Sequence, residues 1–351
     1  MQNRYTAILI ALTAAALFGA TTPIAKALLG PMPPFMVAGL FYLGSGIGLG
    51  AVLLGRRIMR AKSAGVRPRE LAWLVGAIAF GGVAGPALLM LGLTSTPAAT
   101  SALLLNLEGV LTALIAWIVF RENVDVSVFL GMVAIVAGGA VLAWQPGGTQ
   151  TSGGALLIAL ACLFWAIDNN LTRKISTADA TVIACAKGLV AGATNLGIAL
   201  AMGAHPPAPH VALAAMATGF GGYGVSLVLF VIALRHLGTA RTGAYFSVAP
   251  VSGVALSLAI WPQAPGLAFW CAAALMALGV WLHVRERHEH EHTHERLEHT
   301  HRHTHDEHHR HEHDFPYSGD EPHTHAHVHL PITHTHAHFP DIHHRHSHKR
   351  G

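Results

Sequence analysis

Charge is what this sequence lacks most. Only 11% of its 351 residues are Asp, Glu, Lys or Arg, against about 25% in a soluble domain, and 52% are hydrophobic. So little charge cannot solvate the surface of an ordinary globule of this length. Cysteine is scarce as well. Cys162, Cys185 and Cys271 lie far apart inside apolar runs, which excludes a disulfide framework and a CxxC metal site and makes each a small buried hydrophobe. There is no glycine-rich nucleotide loop and no catalytic triad, so the chain is not expected to be an enzyme. A net charge of +4 and a pI near 9.2 would suit nucleic acid. The cations of residues 1–284, however, sit mostly in short loops between apolar runs, which is a membrane topology and not a phosphate-binding face.

What is present instead is a series of long apolar runs. A bilayer is crossed by about 20 apolar residues in helical conformation. Ten such spans are expected, at 5–28, 34–55, 71–92, 97–119, 126–144, 153–172, 179–201, 211–234, 238–260 and 264–283. The first resembles a signal peptide, but a second span follows almost at once, so it is read as a retained anchor. Alternate loops then divide by charge. One set holds Arg4, the run from Arg56 to Arg69, Arg121, Arg173 with Lys174, Arg235, and Arg285 with Arg287. The opposite set (29–33, 93–96, 145–152, 202–210 and 261–263) has no Lys or Arg. Positive loops stay inside, so both termini are expected in the cytoplasm of a bacterial-type inner membrane.

The body also repeats itself. LFGATTPIAK (17–26) aligns with LFWAIDNNLT (163–172), and AATSALLLNLEG (98–109) aligns more weakly with ARTGAYFSVAP (240–250). An odd number of spans per half, here five, turns the second half upside down in the membrane. The expected fold is therefore an all-α integral membrane protein of ten transmembrane helices in two inverted five-helix repeats, residues 1–147 and 148–284, followed by a disordered His-rich tail, 285–351. Inverted repeats of this kind build secondary transporters, with the substrate site near the midplane.

The stretch LLLNLEGVLTALIAWIVFRENVDVSVFLGMVAIVAGGAVL (103–142), with acidic Glu122 after span four and a glycine-rich fifth span, closely resembles the end of the first EamA domain of the drug/metabolite transporter superfamily. ALRHLGTARTGAYFSVAPVSGVALSL (233–258) resembles the matching part of a second EamA domain. The resemblance covers roughly residues 5–283 and implies a ten-helix inner-membrane carrier, commonly an exporter of amino acids or other small metabolites. Two departures stand out: Gly109 where many members carry proline, and Gln263 near the place of the acidic residue expected after span nine.

Charges at membrane depth cost about 2.5–3.5 kcal/mol on insertion scales, so they need partners or a function. Five are found: Lys26, Glu108, Asp168, Lys187 and Arg241. Glu108 and Asp168 are the candidates for proton or cation coupling, because a carboxylate in an apolar cavity can exchange a proton as access alternates. The competing assignment is a static ion pair, Glu108 with Lys187 or Arg241. Lys187 stands where the resemblance places a basic residue early in the second span of a repeat, a position suited to a substrate carboxylate. Lys26 and Arg241 lie nearer span ends and can snorkel to the interface. Asn106, Asn169, Trp165 and Tyr245 are candidate cavity walls, with helix packing as the alternative. Pro23, Pro86 and Pro250 can break helices and free carbonyls, and GFGGYG (219–224) can admit a close helix neighbour.

The tail is a different material. It holds 23 of the 27 histidines. In its first section histidines alternate with Glu, Asp and Arg, as at His288, His290, His292, His294, His301, His303 and His305. In its second section the spacers are Thr, Ala, Val and Pro, as at His323, His325, His327, His329, His334, His336 and His338. In extended chain, residues two apart share a side, so two H-x-H pairs folding together give a four-coordinate shell for Zn, Ni, Co or Cu. Histidine also charges between about pH 5 and 8, which would let the tail adhere to an anionic leaflet and sense pH. No cofactor is required by the body.

The sequence thus points to a proton- or gradient-coupled metabolite exporter with a divalent-metal-binding tail that regulates or delivers. Export of Ni, Co or Zn, or of a metal chelate, fed by the tail is the alternative. A membrane-tethered metal buffer or pH sensor is the second alternative. The partners expected are a small-molecule substrate, the lipid bilayer and divalent metal ions, with a homodimer left open and no nucleic acid.

Overall fold

The computed structural model describes residues 4–58, 65–120, 126–143, 151–175, 178–230, 232–233, 245–246, 248–262, 264–285, 289–294, 297–303, 323–329 and 332–337. The described body is all-α. Among the described residues, eight helices are long and apolar enough to cross a membrane: Tyr5–Leu28, Pro34–Ile58, Pro68–Ser95, Ala98–Val119, Val126–Ala143, Gly153–Thr172, Ala180–Ala201 and Pro209–Phe230. Two shorter apolar helices, Ala249–Ile260 and Leu267–Leu282, stand in the places of spans nine and ten. Outward-facing Leu54, Ile118, Val119, Leu156 and Leu213 are all more than half exposed on the bundle, the mark of helices whose outer face meets lipid.

Contacts between the halves follow the repeat. Span two lies along span seven and span five along span ten, each pairing with its own counterpart. Span six packs on spans three and four, and span one packs on spans eight and nine. In lipid there is no hydrophobic drive between helices, so close approach needs small residues. Where spans two and seven cross, a Cβ added at Gly188 would stand 2.5 Å from the backbone nitrogen of Gly46. At the ends of these two spans Asp179 caps span seven by accepting from the Thr181 amide at 2.8 Å, and pairs with Arg56 of span two at 3.0 Å. Burial pushes the Asp179 carboxyl up. The Thr181 hydrogen bonds and the Arg56 guanidinium outweigh that and hold it below the ordinary aspartate range.

Two kinds of irregularity interrupt the spans. Span three contains a π-helical stretch, Ile78–Ala84, and span eight contains another, Phe220–Val225. Each opens on or includes the tripeptide Phe-Gly-Gly (80–82 and 220–222), a further match between the halves. Span four is discontinuous: helix Ala98–Leu104 stops, Leu105 and Asn106 form a turn, and helix Leu107–Phe120 begins.

In the tail, four strands are described: β1 (Glu289–His294), β2 (Leu297–His303), β3 (His323–His329) and β4 (Ile332–Ala337). They form two nested antiparallel ladders, β2 with β3 inside β1 with β4. The tail is expected to lack fixed structure, and the paired strands depart from that; isolated two-stranded ladders are marginal in water, so these polar segments do not make a second folded core.

Candidate functional site

The site is built where span six crosses the broken span four and the π-helical stretch of span three. Asp168 is 4% exposed and forms an ion pair with Lys187 of span seven, Oδ2 to Nζ 2.5 Å. Its other oxygen accepts from the Thr172 hydroxyl, one turn on, at 2.8 Å. Glu108 falls in the first turn of the second half of span four, where a half-helix N-terminus favours negative charge. Asn169 donates to Glu108 Oε1 at 2.9 Å and to the Thr112 hydroxyl at 3.3 Å. Asn170 donates to the backbone oxygens of Thr112 (3.3 Å) and Ala166 (2.9 Å). One tripeptide, Asp168-Asn169-Asn170, therefore touches span seven and both side chain and backbone of span four.

The π-helical stretch supplies the third wall, and its chemistry follows from proline. In an i to i+5 pattern the donor to the Gly81 carbonyl would be the amide of residue 86, and Pro86 has none. Side chains take its place: Tyr42 donates to Gly81 O at 2.8 Å and Trp165 at 2.9 Å. Asn195 donates to the neighbouring Gly82 carbonyl at 3.2 Å, and Asn195 Oδ1 has no partner among the described residues. Gly81 also makes room for the ion pair, since a Cβ there would overlap the Asp168 carboxylate.

The expected residues divide accordingly. Glu108, Asp168, Lys187, Asn169 and Trp165 come together. Lys187 pairs with Asp168, so the expected alternative of a Glu108–Lys187 pair is replaced: among the described residues no cation lies within ion-pair distance of Glu108. Asn106 sits in the break of span four and caps it, donating to Leu103 O at 3.0 Å. Tyr245 packs instead with the cluster of Ala7, Ala11 and Ala233. Lys26 lies away from the centre. Its ammonium donates to the carbonyls of Leu93 and Thr94, and it lines a cavity of about 530 Å³ with Thr96, Ser257, Trp261 and Phe269, beside the loops that lack cations. Arg241 lies outside the described residues, as do Glu122, Gln263, His288, His305 and His338. Of the cysteines, Cys162 and Cys185 are buried as expected of small hydrophobes, whereas Cys271 is exposed on the bundle.

Sequence reasoning missed Thr112, Thr172, Tyr42, Asn195 and Gly81. The two threonines each stand four residues past a carboxylate, on the same helix face, a signal that was there to read. Tyr42, Asn195 and Gly81 had no such local mark.

A multi-pass α-helical membrane protein made of two inverted halves, with its buried charges at a broken helix between them, has the architecture of a secondary transporter. The family comparison agrees. The EamA-like transporter family matches the chain twice, over residues 5–144 and 152–285, and the chain belongs to that family. A relative described as an uncharacterized transporter, from Methanothermobacter thermautotrophicus, is 26% identical over 288 residues, 77% of this chain and 84% of the relative. A solved crystal structure, 24% identical, covers 80% of this chain and 96% of its own with a TM-score of 0.57, a likeness in fold.

Proposed function

We propose that this transporter exports small, amino-acid-like metabolites across the inner membrane, coupled to protons or another gradient, with both termini cytoplasmic. The observation that supports this most directly is the unequal footing of the two carboxylates. Asp168 is tied to Lys187, and neutralising it would strand a buried ammonium at a cost of about 3–5 kcal/mol. Glu108 is held by the Asn169 amide, which a protonated carboxyl can also engage through its carbonyl oxygen. Glu108 is thus the group that can gain and lose a proton within the site, and Asp168 with Lys187 is its fixed surround. Lys187 next to Asp168 also opposes a bare divalent cation there, which favours a metabolite as cargo.

The tail is read as a divalent-metal-binding regulator or delivery segment at the cytoplasmic mouth. Its histidine density favours one second reading, that the cargo is Ni, Co or Zn, or a chelate of one of them. The test compares cells carrying the full chain, a chain ending at Val284, and Glu108→Gln. Extracellular metabolites and cellular Zn, Ni, Co and Cu are measured after challenge. A metabolite lost from the medium in Glu108→Gln but kept in the shortened chain supports the first reading. One metal lowered by the full chain and by neither variant establishes the second and removes the first. No metabolite or metal responding to Glu108→Gln overturns the assigned role of Glu108.

A further inference from the structure

The end of the bundle beside the cation-free loops is almost bare of charge. Loops 29–33, 93–96, 145–152, 202–210 and 261–263 carry no Asp or Glu either, and their only titratable side chains are His205 and His210. Lys26, in the last turn of span one, is the exception at this end. A lysine so near a span end would ordinarily extend to water. Instead its ammonium donates across the bundle to the carbonyls of Leu93 and Thr94, in the last turn of span three, the second at 3.3 Å. Carbonyls at a helix end attract a cation, but they carry only partial charge. Among the described residues no carboxylate lies within ion-pair distance of Lys26.

Lys26 stands in the wall of the cavity of about 530 Å³. The rest of the lining comes from the link between spans three and four, the ends of spans five and nine and the start of span ten, so both halves contribute. Leu142, Leu258, Trp261 and Phe269 give the cavity an apolar side, and no Asp or Glu lines it. Small-molecule sites are concavities of about 300–1,000 Å³, mostly apolar, with a few polar groups that fix orientation. One lysine balances a monoanion, whereas a phosphate dianion would stay half compensated. A carboxylate is also a stronger acceptor for the ammonium than the two carbonyls that now hold it.

Resting on the reading of the chain as an exporter of amino-acid-like metabolites, we propose that this cavity is a cargo subsite on the cation-free side. Lys26 holds the cargo's carboxylate there, and the apolar wall takes its side chain. By its place in the sequence Lys187 suits the role of carboxylate anchor, but its ammonium is already paired with Asp168. The anchor is Lys26, whose charge has no such partner.

The full chain is purified in an uncharged detergent, and its melting temperature is followed at neutral pH and constant ionic strength as 3-phenylpropanoate is added. A saturable rise is expected. 3-Phenylpropanamide, which lacks the charge, and acetate, which lacks the ring, should each bind at least about tenfold more weakly, the scale of losing a charge-assisted hydrogen bond or the burial of an apolar group. Lys26→Gln keeps amide donors for the Leu93 and Thr94 carbonyls while deleting the charge, and should weaken 3-phenylpropanoate by the same factor. Lys26→Arg should restore it to within a few-fold of the parent. Unchanged affinity in Lys26→Gln would make Lys26 a staple between spans one and three and overturn the subsite. So would equal binding of the amide or of acetate, or no saturable rise in the parent. None of these results touches the coupling role of Glu108, because binding is read without a gradient. Lys26-dependent binding in a chain that exports no metabolite would keep the subsite and bring down the export reading.

Discussion

Asp168 and Lys187, on spans six and seven of the same half, form an ion pair at 2.5 Å with both side chains largely shielded from solvent. Removing either partner leaves the other charge buried, which costs about 3–5 kcal/mol, whereas a hydrophobic or neutral pair of similar shape can be close to neutral. Asp168→Asn and Lys187→Met should each lower the melting temperature in detergent markedly. The double variant should recover most of the loss. Single variants as stable as the parent would mean that the pair does not form.

Glu108→Gln separates coupling from folding. The glutamine keeps an oxygen for the Asn169 amide, so its melting temperature should stay within a few degrees of the parent. Transport against a gradient should fall about a hundredfold or more, the scale of losing a positioned proton-transfer group, while exchange of substrate down its own gradient persists. The two modes are compared in proteoliposomes with and without an imposed proton gradient. Equal retention of both would remove Glu108 from coupling.

Gly81→Ala tests the packing under the ion pair. The added methyl overlaps the Asp168 carboxylate, and overpacking of this kind costs about 1–3 kcal/mol. Gly109→Ala is the control, because a Cβ at Gly109 meets nothing within 4 Å. A melting temperature lowered in the first variant and kept or raised in the second is the expected pattern.

Asp179 makes the stability depend on acid. Its carboxyl lies below its ordinary range when folded, so its contribution is fully present above the unfolded aspartate value of about 3.9 and is lost as pH falls through the lower folded value. Asp179→Ala removes both the helix cap and the Arg56 pair and should cost about 1 kcal/mol near neutral pH. The difference in melting temperature between parent and variant should shrink on acidification. A difference unchanged down to pH 3 would assign the effect to the loss of packing.

Much of the site was legible in the primary structure because charge in an apolar run is conspicuous. Glu108, Asp168 and Lys187 needed only the hydropathy of their neighbours to be noticed. Which cation belongs to which carboxylate was not legible, since Lys187 lies 19 residues from Asp168 and its partner is set by how spans six and seven pack. Tyr245 and Asn106 looked equivalent to Trp165 as polar or aromatic residues beside key motifs, and only packing sent them to other places.

By itself the sequence determined the class of protein. Apolar runs of bilayer length, one-sided loop cations and two similar halves each follow from the cost of placing polar groups in hydrocarbon, a cost read one residue at a time. Tertiary structure decided the break in span four, the π-helical stretches and the buried Gly81 carbonyl that Tyr42 and Trp165 share. The Gly81 carbonyl depends on which donors reach it, and those donors come from other helices. Pro86 and the repeated Phe-Gly-Gly mark where the stretches fall, but no local pattern names the donors.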